Sequence, residues 1–125
     1  MIQGGFRGDG IPVVPLIVGW KSGVQEIIAM LDTGFSGELK VPPEVKKELG
    51  LVTTHIQPTL LANNQIEQSE AALAYASLEG ATEEVTVLIT PGFPAIGSGL
   101  LRRLNFALAI NFRKNIVTLE KLGDS

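Results

Sequence analysis

Short apolar runs broken by glycine and proline make up most of this 125-residue chain. Because the segments between its 14 glycines and 7 prolines are short, the pattern is typical of strands joined by turns. The segment 71–78 carries alanines that also suit a helix, but alanine alternates there with other residues, which favours a strand. Strands are predicted over 2–6, 13–20, 24–31, 38–41, 56–61, from 66 onward through 71–78, and over 84–90, 106–110 and 115–119.

Two short helices are predicted among these strands, over 42–50 and 98–104. The first has proline at its start, an acidic residue in its first turn and glycine at its end, which is the usual order of helix signals. No linker, charge block or low-complexity tract divides the chain, so we expect one mainly β domain over 1–125. Turns are predicted at 21–23, 62–65, 80–82 and 111–114, with loops at 32–37 and 91–94.

The composition adds an expectation about partners. Hydrophobic residues make up 45% of the chain and charged residues 18%, while a domain of this size buries a smaller share of its surface than a large one. We therefore expect a partner chain to cover some of the apolar surface. The net charge of -3 and the pI near 5.1 argue against nucleic acid and an anionic membrane, because binding phosphate groups requires clustered lysine and arginine.

Several kinds of chemistry are excluded by residue content. The chain has no cysteine, which removes thiolate nucleophiles, disulfides and cysteine-ligated metals. His55 is the single histidine, and a metal site combining it with carboxylates has no spacing to support it, so we expect no metal and no cofactor. No signal peptide is visible, and the apolar stretch 13–18 is too short to span a bilayer, so we expect a cytoplasmic location.

One stretch places a carboxylate where it has a possible chemical role. The apolar run that ends at Leu31 leads directly into Asp32, Thr33 and Gly34. A charge at the end of an apolar strand is costly unless it is paired or hydrogen-bonded. The simpler interpretation is that Asp32 caps a turn by accepting backbone N–H bonds, and the three residues alone favour it.

Two further landmarks change that balance. The segment 94–101 has two apolar residues followed by glycine and a short helix, and the hairpin 13–31 has a glycine-containing turn between apolar runs. With Asp32-Thr33-Gly34, they resemble the retropepsin-like members of the aspartic protease superfamily over roughly residues 13–119. The resemblance implies a closed β-barrel of the acid protease type with one or two short helices. It also implies that Ile96 and Gly97 support the catalytic loop.

The resemblance also implies an assembly. Aspartic protease chemistry uses two carboxylates that share a proton, and this chain has room for only one lobe. We therefore expect a homodimer in which each copy supplies one Asp32 and the chain termini add strands to the contact. Thr33 would join the two loops through its hydroxyl group, and Gly34 would allow close backbone approach. Without the resemblance, Thr33 is interpreted as a β-branched residue at the end of a strand.

The substrate implied by the resemblance is a peptide or protein segment in extended form, covered by a hairpin flap within 60–66. This flap comprises Leu61, Ala62, Asn63, Asn64 and Gln65, and it contains less glycine than is usual in the family. Phe35, followed by Ser36, stands where many relatives have a small or hydroxyl residue. Phe35 could narrow a substrate pocket, pack under the loop or be ordinary core.

Three functions remain open from the sequence. The first is an aspartic endopeptidase acting on extended polypeptide. The second is a weak or inactive module of the same fold that serves dimerisation or protein binding, which Phe35 and the glycine-poor flap favour. The third is an unrelated small β-barrel. The intact Asp32-Thr33-Gly34 sequence favours the enzyme, because a binding module has no need for a costly carboxylate there.

Overall fold

A computed structural model describes residues 1–60 and 63–123 of the chain. This part is mainly β, and most elements lie where the sequence pattern predicts them. The strands are β1 Ile2–Phe6, β2 Pro12–Trp20, β3 Gly23–Asp32, β4 Leu39–Val41, β5 Thr53–Leu60, β6 Ile66–Leu78, β7 Ala81–Ile89, β8 Ala95–Gly97, β9 Phe106–Asn111 and β10 Ile116–Lys121. The helices are α1 Pro43–Leu49 and α2 Ser98–Arg103.

Six of the strands close into a barrel. Going round it, β2 pairs with β3, β3 with β8, β8 with β4, β4 with β7, β7 with β6, and β6 returns to β2. The returning pair aligns Val18 with Ala76 in antiparallel register. The predicted fold class, a closed β-barrel with two short helices, is confirmed. Closure leaves these six strands without free edges along the paired stretches.

The core follows from the alternation of the strands. In β2, Val14, Leu16 and Val18 are buried while Ile17 is exposed, because successive side chains point to opposite faces. In β6, the alanines alternate in the same way, and Ala72, Ala74 and Ala76 are buried against the barrel interior. The strand prediction for 71–78 is therefore confirmed over the helical alternative.

Some predicted boundaries are wrong. The turn predicted at 80–82 consists of Glu79 and Gly80, and Ala81 already pairs with Leu78 across the hairpin. Glu79 has φ 53 and Gly80 has φ 78, so both occupy the left-handed region that a two-residue hairpin turn requires. Glutamate gives no signal for that conformation. Strand β5 begins at Thr53 rather than at 56, with an irregularity in its pairing to β6 between Thr53 and His55.

The terminal strands extend the sheet beyond the barrel. Strand β1 is paired on both sides, to β2 and to β10, and β9 lies at the outer edge beyond β10. The sheet therefore ends at β5 on one side and at β9 on the other. Within residues 1–60 and 63–123, no helix has the length and apolar character needed to cross a membrane.

Candidate active site

Asp32 is the last residue of β3, so the predicted loop 32–37 begins one position later, at Thr33. The reason is a parallel pairing with β8, which aligns Leu31 with Ile96 and Asp32 with Gly97 and so extends the strand through the carboxylate. Asp32 is half-buried. The backbone of the barrel, rather than a free loop, therefore sets the position of this side chain.

A tight turn follows Asp32. The Phe35 N–H group donates to the Asp32 carbonyl oxygen at 3.0 Å, and the Gly34 N–H group donates to Asp32 Oδ1 at 3.2 Å. Asp32 therefore caps the turn, and it uses one carboxylate oxygen to do so. Within the described residues no second hydrogen bond to this carboxylate is found, which leaves acceptor capacity for a ligand. Thr33, Gly34 and Ser36 are exposed at the surface of the turn.

The end of β8 and the start of α2 hold this turn in place. The Ser98 N–H group and Ser98 Oγ both donate to the Phe35 carbonyl oxygen, at 2.8 and 3.1 Å. The Gly97 N–H group donates to the Glu38 carbonyl oxygen at 3.0 Å, and the Ile96 side chain is fully buried. Ile96 and Gly97 thus lie where the sequence places them, beside the loop that follows Asp32.

Gly97 leaves no room for a side chain. A Cβ atom there would lie 2.6 Å from Phe35 Cδ2 and 2.7 Å from the Phe35 carbonyl oxygen, and would also overlap the Gly37 carbonyl oxygen. Backbone atoms cannot move aside as a flexible side chain does. The turn after Asp32 can therefore pack against β8 only if residue 97 is glycine.

We expect Gly97→Ala to lower the free energy of unfolding by about 1–3 kcal/mol, because an added methyl group must displace the loop backbone. Denaturant unfolding followed by circular dichroism measures this change. The matched control is Gly5→Ala in β1, where an added Cβ meets no atom within 4 Å. Its effect should stay within about 0.5 kcal/mol. Equal losses in the two variants would contradict the close packing of the loop on Gly97.

Phe35 packs under the loop. Its side chain is only 8% exposed and forms a small cluster with Ala71 and Leu88. Lys40 Nζ lies 4.4 Å from the centroid of its ring, within the range of a cation–π interaction. Of the interpretations open from the sequence, the structure therefore favours a core residue beneath the turn, and this residue also borders the adjoining cavity.

The hairpin of β5 and β6 stands where the flap is expected. At its tip Asn64 has φ 65, a conformation that asparagine tolerates better than most residues. The Asn63 side chain holds this turn, because Oδ1 accepts the Gln65 N–H group at 3.1 Å and Nδ2 donates to Gln65 Oε1 at 3.2 Å. Leu61 and Ala62 of the predicted flap lie outside the described residues.

A cavity of about 690 Å³ lies between the hairpin and the turn after Asp32. Of the predicted site residues, it brings together Asp32, Gly34, Phe35, Ser36 and Asn64. Thr33, Asn63, Gln65, Ile96 and Gly97 are not part of its wall. Residues of the wall that the sequence interpretation missed are Gly37, Lys40, Gln57, Pro58, Thr59 and Leu88.

Comparison with solved structures finds a similar chain. The crystal structure of a retropepsin-like aspartic protease from Rickettsia conorii covers 94% of this chain, and the match spans 86% of that chain, with a TM-score of 0.61 and 18% sequence identity. The chain has a retropepsin-like fold. No protein-family model and no curated protein sequence matches it. At 18% identity the likeness concerns the fold.

Within this retropepsin-like fold, an ion pair anchors the far end of the loop that follows Asp32. Glu38 Oε1 accepts the Thr86 N–H group at 2.9 Å, and Glu38 Oε2 accepts Arg103 Nε at 2.6 Å. Arg103 also donates from Nη2 to the Glu84 carbonyl oxygen at 2.7 Å. The hydrogen bond to Glu38 raises the pKa of the Arg103 guanidinium. These contacts tie the loop to β7 and α2, so both ends of residues 33–38 are held.

Proposed function

We propose that this protein is an aspartic endopeptidase that hydrolyses peptide bonds of extended polypeptide, with a water-activating pair of Asp32 carboxylates formed across a homodimer. The observation that carries the proposal is the position of Asp32. It ends a barrel strand of a retropepsin-like fold, is half-buried, and lies on the wall of a cavity that a β-hairpin borders. Such a concave site with a few convergent polar groups is the usual form of a substrate site.

The chemistry requires a second carboxylate. An ionised Asp32 would remove a proton from water, and the protonated Asp32 of the second copy would hydrogen-bond to the scissile carbonyl oxygen. Water adds to the carbonyl carbon to form a tetrahedral intermediate. The C–N bond then breaks, and the proton taken from water passes to the leaving amine. Asp32 is the one carboxylate on the described cavity wall, so the partner would have to come from another chain.

The surroundings of the turn support a self-complementary contact at this point. Thr33 and Gly34 are exposed, and a Cβ at Gly34 would meet only Asp32 Oδ1, at an ordinary 3.5 Å. The described chain thus leaves the space around the turn open to a second copy. We propose that the Thr33 hydroxyl joins the loops across a twofold axis. The strands at the chain termini, β1 and β10, are each paired on both sides within the chain, so at this end of the described sheet the edge strand available to such a contact is β9.

One argument for the alternative function, a module without catalytic activity, does not hold in the structure. Phe35 was one feature that favoured a module without activity, because a large residue after the glycine could fill the substrate site. Its ring is mostly buried against Ala71 and Leu88 under the turn, and the cavity beside it stays open. The position of Phe35 is therefore compatible with substrate binding.

The proposal predicts a bell-shaped pH dependence for cleavage of an unfolded protein substrate, with its maximum at acidic to weakly acidic pH. Two carboxylates in close contact do not ionise together, so the pair shares one proton over a window of pH. Activity falls at pH values below that window, where both carboxylates are protonated, and at pH values above it, where both are ionised. Cleavage followed by mass spectrometry measures the profile, and a rate that rises steadily into alkaline pH would contradict it.

A further inference from the structure

We propose that Lys40 selects substrates with an acidic side chain, aspartate or glutamate, at the position that occupies the Phe35 end of the cavity. This inference rests on the proposed function, since it assigns a substrate class to the same site. Asp32 and Lys40 are the two charged residues on the described cavity wall. One is assigned to the chemistry, and the other is available to recognise a side chain.

The fold directs Lys40 into the cavity. Its neighbours in β4, Leu39 and Val41, are 0% and 1% exposed and belong to the barrel core. Because successive residues of a strand point to opposite faces, Lys40 points away from that core. It aligns with Leu88 of β7, which is also on the cavity wall. The placement of this lysine follows from the strand pairing rather than from a mobile surface loop.

Phe35 limits where the ammonium group can be. Lys40 Nζ lies 4.4 Å from the ring centroid, and the ring is held by its burial in the cluster below the turn. A cation held over an aromatic face retains its charge and loses part of its hydration. Such a group gains more from a nearby carboxylate than a fully hydrated lysine does.

Lys40 also lacks an acidic partner among the residues that the structure describes. Over the described residues, Lys46 pairs with Glu70, and Arg103 with Glu38, whereas no carboxylate lies within ion-pair distance of Lys40. The other described residues of the wall add hydrogen-bonding groups, such as those of Gln57 and Ser36, without adding another positive charge. A carboxylate on the substrate would therefore complete the pairing that the fold leaves open, and a substrate lysine would be repelled.

The test uses peptides matched except for glutamate or glutamine, moved through each position around the cleaved bond. For the wild-type chain we expect the glutamate peptide to be preferred at one position by about 5- to 30-fold in kcat/KM, the range expected of a charge-assisted hydrogen bond that is partly exposed. Lys40→Met keeps the stem without the charge and should bring the ratio close to one. Lys40→Glu should disfavour the glutamate peptide and favour a third peptide that carries lysine at the same position. The control Lys47→Met, at an exposed lysine of α1, should leave the ratio unchanged.

A binding measurement separates this inference from the proposed function. Fluorescence anisotropy of the same labelled peptides with Asp32→Asn protein needs no turnover. A glutamate preference in binding that Lys40→Met removes would support the role of Lys40 even if the wild-type chain cleaved no peptide, in which case the protease proposal alone would fail. Equal binding of the paired peptides at every position, or a preference that persists in Lys40→Met, would overturn the role of Lys40.

Discussion

Asp32→Asn protein should cleave unfolded substrate at least about 10³-fold more slowly than the wild-type chain in kcat/KM, because an amide cannot accept the proton of the attacking water. The fold should persist. Asparagine is nearly isosteric with aspartate, and its Oδ1 atom can still accept the Gly34 N–H group that Asp32 Oδ1 accepts at 3.2 Å. A peptide cleavage assay and a thermal unfolding curve on the same preparation measure both properties.

The matched control for this substitution is Asp9→Asn. Asp9 is an exposed aspartate of the loop between β1 and β2, where it pairs with Arg7. The control should keep wild-type activity. Asp32→Asn protein that is inactive because it unfolds would assign Asp32 to turn capping, and Asp32→Asn protein that retains a tenth of the activity would remove it from the catalytic role.

The local order of the elements could be predicted because its causes are local. Proline and glycine bound α1, and alternation marks β2 and β6, all of which depend on neighbouring residues. The predicted position of the turn at Glu79 and Gly80 was wrong because the backbone conformation of Glu79, with φ 53, is imposed by the hairpin that this residue closes. The same limit applies to the pairing of β2 with β6, whose partners Val18 and Ala76 are far apart in the chain.

In the candidate site, too, only the residues that are neighbours in the sequence could be predicted. Asp32-Thr33-Gly34 could be recognised because the three residues are consecutive and follow an apolar strand. The other residues of the cavity wall could not be predicted, because Lys40, Gln57 and Leu88 come from three different strands and meet only in the folded chain. One signal was present for Lys40, a charged residue between the apolar neighbours Leu39 and Val41. That pattern predicts a strand with one face outside the core, although it does not say what that face contacts.

Mixed dimers should be inactive if one site takes Asp32 from two chains. When equal amounts of wild-type and Asp32→Asn chains exchange freely, random pairing leaves about a quarter of the dimers with two aspartates. Activity per wild-type chain should then fall to about half of its unmixed value. The substitution also removes a like-charge contact, and any resulting preference for mixed dimers would lower the activity further.

The most direct test of the shared site is therefore this subunit-mixing assay, carried out with wild-type and Asp32→Asn chains that carry different affinity tags. Copurification of both tags establishes that the chains have exchanged, and a mixture of wild-type and Asp9→Asn chains controls for the handling. The shared site predicts activity per wild-type chain at about half or less of the unmixed value in the first mixture, and no loss in the second. Full activity per wild-type chain in the first mixture, after exchange is established, would contradict it.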